Sequence, residues 1–350
     1  MMEKLSPEQA DSLPGIPDPA ENPNLFGHGE QADQLAEAFR SGRMHHALLF
    51  TGPSGIGKAT LAFHLAWHLL KERDPATAAA HLAAPEPGSA VWRQMAAGSH
   101  PGVLHLARPY DDKAKKFRQV ITVDEIRRVG RFLSRTAHDG GYRIVIIDSA
   151  DDMNTNAANA LLKSLEEPPR ATLFILISHS PGRLLPTIRS RCQVHRFSPL
   201  GSDVLEQVLA SIGADMPMDD AGRQRLLELS EGSARNALLM TQYGGLDIAQ
   251  ACDSVLDARG FDVGAAGKIA NAVAARGADI PFDLFNRHLT DRLARDAASA
   301  ASGGDPGRAR RLETLWRETG ETILQAVTYN LDKRQHVMGL LNRLNAELAR

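Results

Sequence analysis

Short apolar runs alternate with helical stripes through the first part of the chain. The runs are HALLF, VLHLA, YRIVIID and TLFILIS, and YRIVIID ends in Asp148. Such runs are typical of strands that are buried on both faces of a parallel sheet. The intervening segments repeat apolar residues every three or four positions, as Leu61, Leu65 and Leu69 do, which predicts helices. This alternation continues to about residue 198 and predicts a doubly wound α/β domain.

The pattern changes after the string FSPL, beyond which only helical periods occur. We therefore expect an α/β domain over residues 25–198, a small helical domain over 199–245 and a helical C-terminal domain over 246–350. Residues 1–24 contain five prolines and several acidic residues, so we predict an extended lead-in there.

Three local patterns make narrower predictions. Residues 73–100 are rich in Ala and Pro and weakly patterned, which indicates an insertion. Thr122 stands three residues before Glu125, the spacing of a capping box at a helix start. A long C-terminal helix is expected to bury one stripe, formed by Leu312, Leu315, Trp316, Ile323 and Val327.

Composition narrows the function classes. Hydrophobic residues make up 43% and charged residues 23%, as in soluble globular proteins. No run of about 18 apolar residues occurs, and the N-terminus has no secretory pattern, so we expect a cytoplasmic protein without a membrane span. The two cysteines exclude a disulfide framework and a four-cysteine metal site. With a net charge of -2, any contact with DNA must come from a local patch or a partner.

The stretch TGPSGIGKATLA follows the first apolar run and opens a helix, as a phosphate-binding loop does. The alternative is a glycine-rich turn with an incidental lysine. A hydroxyl that coordinates magnesium should follow the lysine, but Ala59 stands there. Thr60 is a candidate for a shifted hydroxyl, although one residue is about 100° around a helix and would direct it away. The residues predicted to bind phosphate are Gly52, Gly55, Gly57 and Lys58.

Asp148 stands where phosphate-loop proteins place an acidic residue that helps to hold magnesium. The base that activates water in ATPases is usually the next residue, but Ser149 cannot act as a base near neutral pH. Asp151 and Asp152 are close in sequence, and we interpret them as the N-terminal cap of the next helix. Two catalytic groups are therefore missing from one site.

The stretch TIRSRCQ carries three arginines, of which Arg191 lies between Ser190 and Cys192. A guanidinium group offers a planar fork that suits phosphate oxygens and stabilises charge in phosphoryl transfer. Without other information, this stretch would be interpreted as a basic surface turn.

Together, these stretches resemble one family. The strings GPSGIGKATLA, NALLKSLEEPP, IRSRC and GSARNAL are similar to the clamp-loader branch of AAA+ proteins, which includes the bacterial DNA polymerase III loader subunits. The resemblance is strong over about residues 22–240. It implies a RecA-like P-loop AAA+ domain with a parallel sheet, a small α-helical lid domain and a C-terminal α-helical collar domain.

The resemblance also implies roles for individual residues. Ala59 and Ser149 place the chain with the stationary subunit of the loader, which typically lacks a working site. Arg191 corresponds to the finger that acts in trans on a neighbour's ATP. Ser178 and Arg235 correspond to the two sensor positions.

The implied partners are the gamma/tau motor subunits and the delta subunit, with the sliding clamp and primed DNA reached through the assembly. ATP or ADP could bind without turnover. Many members of the family hold zinc with four cysteines, whereas residues 73–100 have none, so we predict no zinc. Two alternatives remain: an active gamma/tau-like ATPase and a nucleotide-binding scaffold outside replication.

Overall fold

A computed structural model describes residues 4–72, 74–134 and 141–348. The predictions for residues 1–3, 73, 135–140 and 349–350 lie outside the described residues. The chain divides into two compact units, which we describe separately. The first comprises Met1–Gly213 and Glu231–Arg235, and the second comprises Ala214–Ser230 and Asn236–Arg350.

The first unit is built on a five-stranded parallel sheet, accompanied by a two-stranded hairpin. The strands are β1 (Ala47–Thr51), β2 (Val103–Leu106), β3 (Tyr110–Asp111), β4 (Lys116–Phe117), β5 (Arg143–Ile147), β6 (Thr172–Ser178) and β7 (Gln193–Arg196). The order in the sheet is β2-β5-β6-β1-β7, and β3 pairs with β4. Because every neighbouring pair in the large sheet is parallel, the carboxyl ends of β1, β5 and β6 meet at one edge.

Seven α-helices belong to the described part of this unit. They are α1 (Gly29–Arg40), α2 (Lys58–Lys71), α3 (Ala90–Ala96), α4 (Val123–Leu133), α5 (Thr155–Glu166), α6 (Pro186–Arg189) and α7 (Ser202–Ser211). Strands β1 and β6 are fully buried. Helices α4 and α5 pack against the sheet through one apolar cluster that includes Val129, Leu161 and Phe174. The predicted α/β class is confirmed.

From residue 220 onward the described chain forms only helices. They are α8 (Asp220–Ser230), α9 (Ala234–Gln242), α10 (Gly245–Leu256), α11 (Val263–Val273), α12 (Asp279–Ser302), α13 (Pro306–Thr328) and α14 (Lys333–Leu348). Helices α10 to α14 share one apolar core around Phe285, Leu289 and Leu341. The predicted helical C-terminal region is confirmed. In the part of the chain that the structure describes, no helix has the length and apolarity needed to cross a bilayer.

Several local predictions were wrong. Helix α4 begins after Thr122, but the Thr122 side chain makes no capping hydrogen bond, and Glu125 pairs with Arg128 at 2.6 Å. The stripe predicted on α13 is only partly buried, since Trp316 is 45% and Val327 56% exposed. A long helix needs only part of its apolar surface for its own core, so spacing alone does not identify the buried face.

Residues 74–100, which we predicted as an insertion, pack closely against the rest of the first unit. Trp92 on α3 is 2% exposed, and its ring lies 5.8 Å from that of Trp67 on α2. The Trp67 indole donates to the Ala84 carbonyl at 3.0 Å, and the Ala83 amide donates to His68 at the same distance. Long-range packing of this kind leaves no period in the sequence, so the pattern could not predict it.

Candidate functional site

The glycine loop connects β1 directly to α2. Gly52, Gly55 and Gly57 have φ values of 149°, 73° and 101°, a range that other residues rarely adopt. A Cβ atom on Gly52 would lie 2.4 Å from the Phe197 carbonyl oxygen. Gly57 precedes the first residue of α2, so the unpaired amides of the helix N-terminus face the loop. The sequence therefore builds the backbone cradle that suits a phosphate group.

Lys58 is the first residue of α2, and it is 3% exposed. Its ammonium group donates to the carbonyls of Gly52, at 2.7 Å, and Pro53. Burial lowers the pKa of Lys58 to about 8, against the opposing attraction of Asp148 and Asp151. The lysine is thus folded back onto its own loop and is available to an anion that could replace those carbonyls.

Asp148 follows the last residue of β5 and lies near Lys58 in space. Burial raises its pKa to about 7, and the negative charge of Asp11 adds to this effect, whereas Lys58 opposes it. A carboxyl group that binds a proton near neutral pH is a weaker magnesium ligand than an ionised one. Asp148 therefore lies at the end of β5 near Lys58, and its role as a magnesium ligand stays a prediction.

We expect Asp148→Asn to stabilise the fold more at pH 8 than at pH 5. The folded-state pKa is raised to about 7 from 3.8, so the unfolded state ionises first as the pH rises. The free energy of unfolding of the parent protein therefore falls as the pH rises from about 4 to about 7. The Asp148→Asn variant has no titrating group at this position and does not lose this stability. The gain should differ by about 2–3 kcal/mol between the two pH values. Urea unfolding of both proteins measures it, and an equal gain at both values would contradict the shifted pKa.

Asp151 organises the end of β6. Its carboxylate accepts from the Ser178 hydroxyl at 2.7 Å and from the backbone amides of His179 and Ser180. The interpretation of Asp151 as a helix cap was wrong, because Asn154 caps α5 by accepting from the Ala157 amide at 2.9 Å. A partner 27 residues away has no sequence signal, whereas Asn154 has the residue type and position of a cap.

The hydroxyl and carboxylate expected of a working ATPase are replaced by other groups. Ala59 ends in a methyl group, so it has no oxygen for a metal ion. Thr60, the proposed substitute, is 9% exposed and lies on the buried side of α2. Ser149, next to Asp148, is 7% exposed. The loop therefore keeps its phosphate-binding parts and lacks two groups of the hydrolytic machinery.

Ser233 and Arg235, from the string GSARNAL, pack directly against the glycine loop. The Ser233 hydroxyl donates to the Ser54 carbonyl at 2.9 Å, and the Arg235 amide faces the Gly55 carbonyl at 3.4 Å. A Cβ on Gly55 would lie 2.3 Å from the Arg235 Cβ, so only glycine fits. The guanidinium of Arg235 donates to the Asp11 carbonyl. Arg235 thus lies beside Gly55, and its role as a sensor stays a prediction.

Arg191 has a different set of partners. It follows α6, and its guanidinium donates to the Thr187 carbonyl at 2.8 Å and to the Glu166 carboxylate at 2.5 Å. Its side chain remains 34% exposed. Glu166, at the end of α5, was not predicted as a functional residue, because its pairing with Arg191 crosses 25 residues. The arrangement presents a guanidinium group at the surface in a fixed position.

Within residues 4–72, 74–134 and 141–348, no three His, Cys, Asp or Glu side chains are arranged to hold a metal ion. His105 lies beside β5 and His81 pairs with Asp33 at the surface.

The parallel sheet, the glycine loop between β1 and α2, and the acidic residue at the end of β5 define a RecA-like P-loop fold of the AAA+ class. The family model described as DNA polymerase III, delta subunit, matches residues 27–201, half of the chain. The chain belongs to the delta prime family of DNA polymerase III clamp-loader subunits.

Individual relatives agree with this family. The chain is 42% identical to DNA polymerase III subunit delta' of Pseudomonas aeruginosa over 193 residues, which are 55% of this chain and 54% of that protein. Identity to the Escherichia coli delta' subunit is 32% over 211 residues, or 60% and 58% of the two chains. The gamma/tau subunit of Mycobacterium tuberculosis is 31% identical over 229 residues, covering 63% and 36%. The chain spans about half the length of the curated delta' relatives that it matches.

Proposed function

We propose that this chain is a stationary subunit of a clamp loader, which donates Arg191 to ATP bound on a neighbouring motor subunit. The observation that carries the proposal is the contrast between its two sites. Its own site has Ala59 and Ser149 in place of the magnesium hydroxyl and the base, whereas Arg191 is present, paired with Glu166 and 34% exposed. A subunit built in this way contributes to hydrolysis only at a neighbour's site.

The physical reason is a split active site. Phosphoryl transfer needs little covalent chemistry from the protein, and positive charge near the transferred phosphoryl group supplies much of the rate enhancement. A guanidinium group that comes from a second subunit makes hydrolysis depend on correct assembly. Gly52, Gly55, Gly57 and Lys58 fit a phosphate group, but Ala59 does not support magnesium, so any ATP or ADP bound here would not be turned over.

The partners under this proposal are gamma/tau motor subunits and a delta subunit. The sliding clamp and primed DNA are reached through the assembly, in the cytoplasm. Residues 199–245 would act as the lid domain and residues 246–350 as the collar through which subunits associate. The support for these assignments is the family membership and the all-helical second unit.

We expect the isolated chain to hydrolyse ATP no faster than its Lys58→Ala variant. Ala59 has no hydroxyl for magnesium, and Ser149, the residue after Asp148, cannot act as the base that activates water near neutral pH. The rate of phosphate release from ATP, measured for the purified parent chain and for the Lys58→Ala variant, tests this expectation. Steady turnover that falls when Lys58 is replaced would contradict the proposal and establish the alternative, an active motor of the gamma/tau kind.

A nucleotide-binding scaffold outside replication is the second alternative. Co-purification distinguishes the two, because a loader subunit must associate with motor and delta subunits whether or not nucleotide is bound. Failure to associate with either would favour the scaffold.

A further inference from the structure

Residues 4–24, which we call the strap, form hydrogen bonds and an ion pair with one another around the buried carboxylate of Asp18. Asp18 is 6% exposed and accepts from the hydroxyls of Ser6, at 2.6 Å, and Ser12, at 2.7 Å. Lys4 forms an ion pair with the same carboxylate at 3.0 Å. A buried carboxylate with three partners stabilises one conformation, because removing it would leave those partners without an acceptor.

The strap is also anchored to the rest of the first unit. The Nε2 atom of His64, on α2, lies 2.9 Å from the Asn22 carbonyl oxygen. Leu13 and Ala20 are 5% and 7% exposed, so apolar side chains of the strap are buried as well. The Glu21 carboxylate accepts from the amides of Leu5 and Ser6, which closes the strap into a loop. These contacts distinguish the strap from a solvated tail.

The middle of the strap reaches the side chain of Arg235, a residue that lies beside the glycine loop. Arg235, whose Cβ lies against Gly55, donates from its guanidinium to the backbone carbonyl of Asp11. One cavity has Asp11 and Asp18 of the strap in its wall together with Asp148. The negative charge of Asp11 helps to raise the pKa of Asp148 and opposes the lowering of the pKa of His179, which also faces Lys58.

Each of these contacts opposes a bound nucleotide. A guanidinium group beside a phosphate-binding loop can donate hydrogen bonds to phosphate oxygens. Here the guanidinium of Arg235 donates to the backbone carbonyl of Asp11. The negative charge of Asp11 also acts on Asp148 and on His179, which lies near Lys58, and it repels an anion at the same place. Phosphate groups could therefore use Arg235 only after the strap has moved.

We propose that the strap is an intramolecular inhibitor, which keeps nucleotide out of the degenerate glycine loop by engaging Arg235 through the Asp11 carbonyl. The inference rests on the loop being a nucleotide site, as in the proposed function, and is independent of Arg191. Binding then requires the strap to open, and the apparent dissociation constant rises by the inverse of the open fraction. If the strap engages Arg235 for about 90–99% of the time, nucleotide binding is weakened by about 10- to 100-fold.

The test is the affinity of the full chain for a fluorescent ATP analogue with magnesium, before and after Asp18→Ala. This substitution removes the acceptor of Ser6, Ser12 and Lys4, and leaves the glycine loop and Arg235 unchanged. We expect affinity to increase about tenfold or more. Lys58→Ala in the same background should abolish the gain, which locates the bound analogue at the loop.

The matched control is Asp33→Ala, which removes an exposed carboxylate paired with His81 outside the strap and should leave affinity unchanged. A milder variant, with Ser6→Ala and Ser12→Ala together, covers the case in which Asp18→Ala unfolds the chain. Hydrogen exchange at the Leu5 and Ser6 amides reports whether the strap has opened.

An opened strap with unchanged affinity, including no detectable binding by either protein, would overturn the proposal. A gain that survives Lys58→Ala would overturn it too, since the analogue would then lie elsewhere. Neither result bears on Arg191, whose effect is measured on a neighbour's ATP.

Discussion

Arg191→Ala is expected to slow ATP hydrolysis at the neighbouring site that it serves by about 10³-fold or more. The guanidinium is 34% exposed and held by Thr187 and Glu166, so it is oriented before any partner arrives. Alanine removes the charge that stabilises the transition state without removing an apolar contact from the core. Single-turnover hydrolysis by the assembly of motor, delta and variant subunits measures the loss at that site.

Arg189→Ala is the matched control, since Arg189 lies two residues from Arg191. The guanidinium group of Arg189 makes a long contact, of 3.5 Å, with the Pro181 carbonyl oxygen. We expect it to leave hydrolysis within about twofold of the parent, as for a surface substitution. Assembly, followed by size-exclusion chromatography, should be intact for both variants. Equal hydrolysis with Arg191→Ala and Arg189→Ala in intact assemblies would contradict the finger role.

Trp92→Ala is expected to lower the free energy of unfolding of the first unit by about 3–5 kcal/mol. Trp92 is 2% exposed, and its ring packs edge-on against Trp67 and His64. Alanine would leave a cavity between α2 and α3 that the surrounding chain can only partly fill. Calorimetry or urea unfolding followed by far-UV circular dichroism measures the effect without depending on tryptophan fluorescence.

Trp316→Ala provides the control with the same change of residue. Trp316 on α13 is 45% exposed, so its replacement should change stability by about 0.5 kcal/mol or less. A large loss with Trp316→Ala, or a small one with Trp92→Ala, would contradict the burial described for the two helices.

The elements that could be predicted from the sequence share one property: each is marked by a pattern within its own stretch of residues. The apolar runs ending at Phe50, Asp148 and Ser178 indicated the three inner strands, because residues buried on both faces of a sheet are mostly apolar along the strand. The glycine spacing located the loop because positive φ values require glycine. Local rules of this kind need no knowledge of distant residues.

The features that were missed depend on distant partners. Strand β7 lies at an edge and is mostly exposed, so it has no apolar run. The bonds from Asp151 to Ser178, and from Arg191 to Glu166, cross 27 and 25 residues. The contact between Asp11 and Arg235 crosses 224 residues. Residue type allowed these side chains to be noticed, but only the folded chain shows which of them meet.

The central claim is that this chain supports hydrolysis of a neighbour's ATP without hydrolysing its own. The most direct test is clamp loading onto primed DNA by motor and delta subunits, with ATP turnover recorded, in the presence and absence of the chain. We predict that both activities require the chain, and that the chain carrying Lys58→Ala supports them as well as the parent does. Equal loading and turnover without the chain would contradict the account.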